Sequence, residues 1–197
     1  MSRYIALEGI DGAGKTSVLV ALAERLEGEG HDVVCVREPG GTAVGESLRD
    51  LLLEGPPMSA WAEALMFAAD RAQLVEEVVR PALARSAWVL SDRSVYSSLA
   101  YQGAGRGLGI GRVRQINEPG LSGTWPDMVM LLVVAPEAGL ARQEKEDRIG
   151  SEGSSLLASV AEAFERLASR EPDRFVVIDA EQSLGLVVDQ AWAAVQL

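Results

Sequence analysis

The segment Gly9-Ile10-Asp11-Gly12-Ala13-Gly14-Lys15-Thr16 constrains this chain more than any other. Two glycines bracketing four residues, followed by lysine and a hydroxyl residue, form the pattern of a loop that wraps phosphate. It stands where that chemistry requires. The apolar run Tyr4 to Glu8 precedes it, and the amphipathic stretch Lys15 to Glu27 follows, with Val18, Leu19, Leu22, Ala23 and Leu26 on one face and a stop at Gly28 and Gly30. A strand, a glycine-rich turn and a helix N-terminus in succession aim backbone N–H groups and the positive end of a helix at an anion. In that frame Lys15 reaches the β- and γ-phosphates of a nucleoside triphosphate, and the Thr16 hydroxyl is a ligand for Mg²⁺.

Four further apolar runs read as buried parallel strands: Asp32 to Val36, Ala87 to Ser91, Met128 to Val134 and Arg174 to Ile178. Helical spacing covers Ala60 to Ala84, Ser155 to Ala168 and Leu184 to Val195. The alternation predicts a three-layer α/β fold, a five-stranded parallel sheet with helices on both faces, in one domain over 1–197. In such sheets the ligand crevice lies beyond the carboxyl ends of the strands. Two stretches are expected to be mobile: Gly103 to Gly111, with five of the 20 glycines, and the polar Gln143 to Ser155. The single cysteine, Cys35, lies in Val33-Val34-Cys35-Val36 and is expected to be a small buried hydrophobe; His31 sits at a glycine-flanked turn and is expected to be solvated.

Composition narrows the partners. A net charge of −11 argues against a nucleic-acid binder, which needs a broad basic surface. No apolar run is long enough to span a bilayer, and the N-terminus lacks a signal-peptide pattern, so a cytoplasmic, membrane-free protein is expected. A small anionic substrate needs only a few convergent arginines. Lys15 and Lys145 are the only lysines, so arginine supplies the other 16 of 18 basic residues.

The strand ends supply candidates. After the second run comes Arg37-Glu38-Pro39-Gly40-Gly41-Thr42, where a turn presents a guanidinium to the crevice. After the third comes Ser91-Asp92-Arg93: Asp92 is placed like a strand-terminal Mg²⁺ carboxylate, and Arg93 could meet a second phosphate. Phe67 and Arg71, four apart on a helix, share a face and form a plausible pair for recognising a base.

Taken together, these residues resemble the thymidylate kinases. The resemblance runs through Glu8 to Thr16, Arg37 to Thr42, Leu65-Met66-Phe67 with Arg71, Asp92-Arg93, Tyr101-Gln102-Gly103 to Arg106-Gly107, Pro126-Asp127, Asp147-Arg148-Ile149 and Ile178-Asp179-Ala180, nearly the whole chain in order. It implies a P-loop NTPase fold, Mg²⁺·ATP as donor, dTMP as acceptor, and a homodimer formed through helices such as Ala60 to Ala84. It places ATP on Gly9, Ile10, Asp11, Gly12, Ala13, Gly14, Lys15, Thr16 and Ser17, with Arg142. It gives Arg37 and Arg93 the acceptor phosphate, Asp11 the sugar 3′-hydroxyl, Phe67 and Arg71 the thymine, Ser98 and Gln102 the rest of the base pocket, and Tyr101 the deoxyribose. Lys15, Arg93, Arg148 and Asp11 are the implied catalytic residues, Thr16 and Asp92 the metal ligands, 142–151 a lid, and Asp179 to Ser183 the neighbourhood of adenine. Two departures stand out. Gly12 occupies a position where some members carry arginine, and Ser94-Val95-Tyr96 replaces a tyrosine directly after Asp92-Arg93. The lid is acidic, with only Arg142, Lys145 and Arg148 basic. A kinase for another nucleoside monophosphate or a deoxynucleoside, or a catalytically weak nucleotide-binding regulator, stays open as an alternative.

Overall fold

A computed structural model describes residues 3–142 and 154–196. Strands β1 (Tyr4–Glu8), β2 (Val33–Arg37), β3 (Trp88–Asp92), β4 (Met128–Val133) and β5 (Phe175–Asp179) form one sheet in the order β2-β3-β1-β4-β5. Every pairing is parallel. All five predicted strands are present, within one residue at either end. The central strand β1 is buried at every position because helices cover both faces, which is why it reads as a continuous apolar run rather than an alternation. On one face Tyr4, Val36 and Val89 pack with Leu74, Val79 and Ala82. Ile5, Leu7 and Leu90, which alternate with them along the strands, pack with Val18, Leu22 and Leu26.

The helices follow from similar patterning. α1 (Lys15–Gly28) buries the face expected of it. α2 (Ala43–Glu54) is capped by Thr42, whose hydroxyl accepts from the Gly45 N–H at 2.9 Å. α3 (Ala60–Leu74) passes through a π-turn at Val75–Val79 into α4 (Arg80–Ala84), one continuous run over the predicted stretch. α5 (Val95–Ser98) runs into a π-helical stretch at Leu99–Gly105, followed by α6 (Ile110–Leu121) and α7 (Pro136–Ala141). α8 (Ser154–Arg170) and α9 (Leu184–Val195) close the chain. None of these helices is long and apolar enough to cross a membrane.

Two expectations are corrected, and a third falls almost wholly outside the described residues. Cys35 is exposed, not buried: β2 is an edge strand, so its outward positions lack cover. The glycine-rich stretch 103–111 is not one continuous loop: Gly103 and Gly105 lie in the π-helical stretch, Gly111 lies in α6, and only a short turn separates them. A Cβ on Gly105 would stand 2.7 Å from Leu156 Cδ1 of α8, so glycine there admits a close helix crossing, and Ile110 already opens α6. Of Gln143 to Ser155, residues 143–153 lie outside the described residues, and Ser155 is inside α8.

Candidate active site

The sheet's carboxyl edge gathers the end of β1, Glu8, beside Arg37 and Asp92, which are register partners on β2 and β3. From Glu8 the chain enters the phosphate loop. Gly9, Gly12 and Gly14 adopt φ of 135°, 79° and 87°, a left-handed conformation that a side chain would strain. A Cβ on Gly12 would also stand 2.1 Å from the Gly139 carbonyl oxygen, so α7 braces the loop from outside. Gly14 caps α1 without a side-chain acceptor, which leaves the helix N–H groups to an anion. The buried Lys15 Nζ donates to the carbonyls of Gly9 at 3.2 Å and Ile10 at 2.9 Å. Burial, and then the Arg93 charge, pull its amine down to about 8, against the opposing pull of Asp11.

Thr16 Oγ1 donates to Asp92 Oδ2 at 2.5 Å, so the two sequence-predicted metal ligands are in contact. Arg93 follows directly, with φ of 74°. For a non-glycine residue that conformation costs about 1–3 kcal/mol and is a mark of functional sites. It turns the guanidinium back over the loop: Nη1 donates to the Gly9 carbonyl at 3.2 Å and to Ser97 Oγ at 3.0 Å, and Nη2 donates to Asp11. The Tyr101 hydroxyl donates to the other Asp11 oxygen at 3.3 Å, and its ring lies 5.2 Å under the Arg93 guanidinium. Burial would raise the Asp11 carboxyl, but the charges of Arg93 and Lys15 with the hydrogen bonds from Arg93 and Tyr101 outweigh it and hold the group at about 2. Arg37 also reaches the crevice, where its Nη2 pairs with both oxygens of Glu46 at 3.1 and 2.9 Å.

The other end of the crevice is a buried polar knot. Arg71, 2% exposed, donates from Nε to Glu38 at 2.8 Å, from Nη1 to Asn117, and from Nη2 to the Ser94 carbonyl at 3.3 Å and Ser98 Oγ at 3.1 Å. Its Nη2 also lies 2.6 Å from Glu38. One Nη1 hydrogen has no acceptor among the described residues. Phe67, one turn earlier on α3, is half-buried and lines the same space. Gln102 is in the lining, yet its amide is committed to Glu63 at 2.9 Å, which Arg106 also grips. One cavity of about 1050 Å³ joins the loop residues to Arg37, Phe67, Arg71, Arg93 and Arg142. Arg142 donates to the Ala180 carbonyl at 3.1 Å, while Arg148 lies outside the described residues.

The structure adds residues that sequence reasoning passed over: Glu8, Glu38, Glu63, Asp70 and Asn117, all buried. The acids had a signal. Glu8 ends an apolar run, Glu38 follows Arg37, and Asp70 precedes Arg71; a carboxylate inside a buried segment must find donors or a cation. Asn117, in a stretch of loop-like composition, had none.

The thymidylate kinase family matches residues 7–191. Among similar proteins, the thymidylate kinase of Synechococcus sp. (strain JA-2-3B'a(2-13)) is 45% identical over 193 residues, covering 98% of this chain and 94% of its own. That of Desulforudis audaxviator (strain MP104C) is 44% identical over 198 residues, covering 98% and 90%. The crystal structure of thymidylate kinase from Ehrlichia chaffeensis aligns with a TM-score of 0.82 at 30% identity, covering 100% of this chain and 99% of that one. The likeness spans the sheet edge, the phosphate loop and the buried arginine knot alike, and this chain belongs to the thymidylate kinase family.

Proposed function

We propose that the chain transfers the γ-phosphoryl group of ATP to dTMP, giving ADP and dTDP. One observation carries this reading: a single cavity connects the loop that binds a triphosphate to Arg93 and to the Phe67 and Arg71 pair, which is room for two nucleotides with their phosphates meeting near Asp11 and Arg93. The acceptor is already a phosphate oxygen, so little proton chemistry is needed, and the rate comes from positioning and charge neutralisation. Lys15 exchanges its two loop carbonyls for phosphate oxygens of ATP. Arg93 and Arg37 hold the acceptor phosphate, Arg37 leaving Glu46 to do so. The uncommitted Nη1 hydrogen of Arg71 meets a thymine carbonyl, Phe67 stacks on the ring, Ser98 and Gln102 close the pocket, Tyr101 packs on the deoxyribose, and Asp11 receives the 3′-hydroxyl. We assign Arg142 and Arg148 to the phosphates of ATP.

A hydroxyl and a carboxylate in contact at Thr16 and Asp92 give a hard-oxygen pair of the kind that holds Mg²⁺ together with substrate phosphates and water. Thr16 and Asp92 would hold the ion there, and it would supply charge neutralisation at the substrate phosphates. The apolar side chains of Val44, Leu51, Trp61 and Leu65 on α2 and α3 stand 50, 50, 38 and 53% exposed, and we propose this face as the homodimer interface. With small soluble substrates on both sides of the reaction, we place the enzyme in the cytoplasm.

The test is ADP release measured across nucleoside monophosphates and free nucleosides. The reading expects dTMP to be preferred and thymidine to be inert; preference for another base, or for a nucleoside, would overturn it. Light scattering of the native chain against Leu65→Glu tests the dimer, which the charge should split.

A further inference from the structure

We infer that Glu63 is a specificity-determining residue: it fixes which end of the Gln102 amide meets the base, and so selects a ring that carries a hydrogen-bond donor at N3. The inference rests on the dTMP kinase reading. Glu63, Phe67 and Arg71 follow one another at intervals of four on α3 and share a face. Ser98, Gln102 and Arg106 run at the same interval through the end of α5 and the π-helical stretch behind it. The two rows are tied at both ends. Arg71 Nη2 donates to Ser98 Oγ at 3.1 Å, and Gln102 Nε2 donates to Glu63 Oε1 at 2.9 Å. Phe67 comes between these ties along α3, and Phe67, Arg71, Ser98 and Gln102 all line the cavity.

A side-chain amide has a donating end and an accepting end of nearly the same size, so in an open setting either can turn to a ligand. Glu63 removes that choice. Both of its oxygens already accept from Arg106, Oε1 from Nε and Oε2 from Nη2, each at 3.0 Å, so the carboxylate has no hydrogen to give. Glu63 and Gln102 are 1% and 2% exposed. Turning the amide over would set its carbonyl oxygen against a buried carboxylate, two acceptors with no proton between them and no water to relieve them. Nε2 therefore stays on Glu63, and the carbonyl oxygen is the end left for the cavity. Arg71 brings a donor to the same ring. A donor beside an acceptor matches O4 and N3–H of thymine. On cytosine those positions are an amine and a bare ring nitrogen, so both contacts are reversed. Arg71 rejects the amine; Glu63, through Gln102, rejects the ring nitrogen. A mere staple between α3 and the π-helical stretch would behave differently: its loss would weaken the fold and cost both bases alike.

The experiment uses the full chain with Glu63→Leu, Glu63→Asp, Glu63→Gln, Gln102→Leu and the Glu63→Leu/Gln102→Leu double variant. The readout is kcat/KM for dTMP over that for 5-methyl-dCMP, which keeps the methyl group and changes only the edge of the ring. KM for ATP is measured alongside. Freeing the amide in Glu63→Leu should lower the ratio by roughly tenfold to hundredfold, because dTMP loses a matched contact and 5-methyl-dCMP gains one. KM for ATP should stay within about twofold. If that variant fails to fold, Glu63→Asp, which keeps a charge for Arg106 but draws it back from Gln102, should lower the ratio in the same sense. Glu63→Gln, which can hold its own carbonyl oxygen toward Gln102 Nε2, should keep the native ratio. In the Gln102→Leu background, Glu63→Leu should leave the ratio where Gln102→Leu alone puts it, because the group it acts through is gone. An unchanged ratio in Glu63→Leu, or in Glu63→Asp should it be needed, would overturn the role of Glu63. So would equal losses for the two substrates, or a further change in the Gln102→Leu background. A native chain that turns over 5-methyl-dCMP as well as dTMP, or turns over neither, would instead sink the functional reading.

Discussion

Arg71→Met removes the guanidinium while keeping most of the stem, and its cost follows from the pair it breaks. Arg71 and Glu38 are each 2% exposed, with the Nη2 to Oε2 contact at 2.6 Å, so no water replaces the lost partner. Breaking such a buried pair costs about 3–5 kcal/mol. In a chain of this length that is a fall of about 6–20 °C in Tm. The penalty should depend on pH. Burial holds the Glu38 carboxyl up at about 7, against the pull of Arg71, from an ordinary 4.5. Between those values the folded chain binds more protons than the unfolded one, so stability falls as pH rises to about 7 and then levels. Without Arg71 the folded value climbs further, and the variant goes on losing up to about 1.4 kcal/mol per pH unit above 7. Urea unfolding at pH 6 to 9 should therefore show a gap between the two proteins that is steady up to neutrality and widens beyond it. A gap that stays constant or narrows across that range would refute the account of Glu38 as the buried group Arg71 neutralises.

Other outcomes follow from the same geometry. Lys15→Ala should fold, by circular dichroism, yet lose nearly all phosphoryl transfer, since backbone amides cannot replace its charge; near-native turnover would remove Lys15 from the reaction. Because Arg71 only donates, the exocyclic amine of cytosine would face it donor to donor, so kcat/KM for dCMP should fall about tenfold to hundredfold below dTMP; equal values would place the base elsewhere. Burial raises the Asp70 carboxyl from 3.8 to about 6 despite the N–H of Gly40, so folded stability declines across that window as pH rises. Asp70→Asn, which still accepts from Gly40, should remove a stability loss of about 3 kcal/mol across that window, read by urea unfolding against pH, and an unaltered pH dependence would assign it to another group. Arg148→Ala should lower kcat far more than it raises KM for dTMP; if only Arg142→Ala does so, the transferring phosphate belongs to Arg142.

The five strands and the phosphate loop were legible because each rests on a local rule: a buried parallel strand is a short apolar run, and a loop that wraps phosphate has glycine where φ must be positive. Arg37, Asp92 and Arg93 were legible from their place at strand ends. The lining of the proposed base pocket was harder. Arg71 stood out through its helix-face pairing with Phe67 and through a family pattern, but its partners Glu38 and Asn117 lie 33 and 46 residues away, a separation no local rule reports. The stretch 103–111 misled because glycine has two uses. Composition cannot tell a residue that frees the backbone from one that lets helices touch, and Gly105 is the second kind. Cys35 misled because an apolar run does not say whether its strand is central or at an edge.

The π-turn at Val75–Val79 bears on which changes of length this scaffold tolerates. A π-turn amounts to one residue inserted into an α-helix, and each residue turns the helix by about 100°. The inserted residue sets the phase between Glu63, Asp70 and Arg71, which face the crevice network, and Val79 and Ala82, which lie against the sheet. Trimming a single residue there would leave composition, charge and helix length nearly untouched, yet it would swing Arg71 about a quarter turn away from Glu38 and Asn117 or drag the far end of the helix off the sheet. Substitutions along this helix are local events, whereas a one-residue indel within it rewires the buried network around Arg71 at a distance.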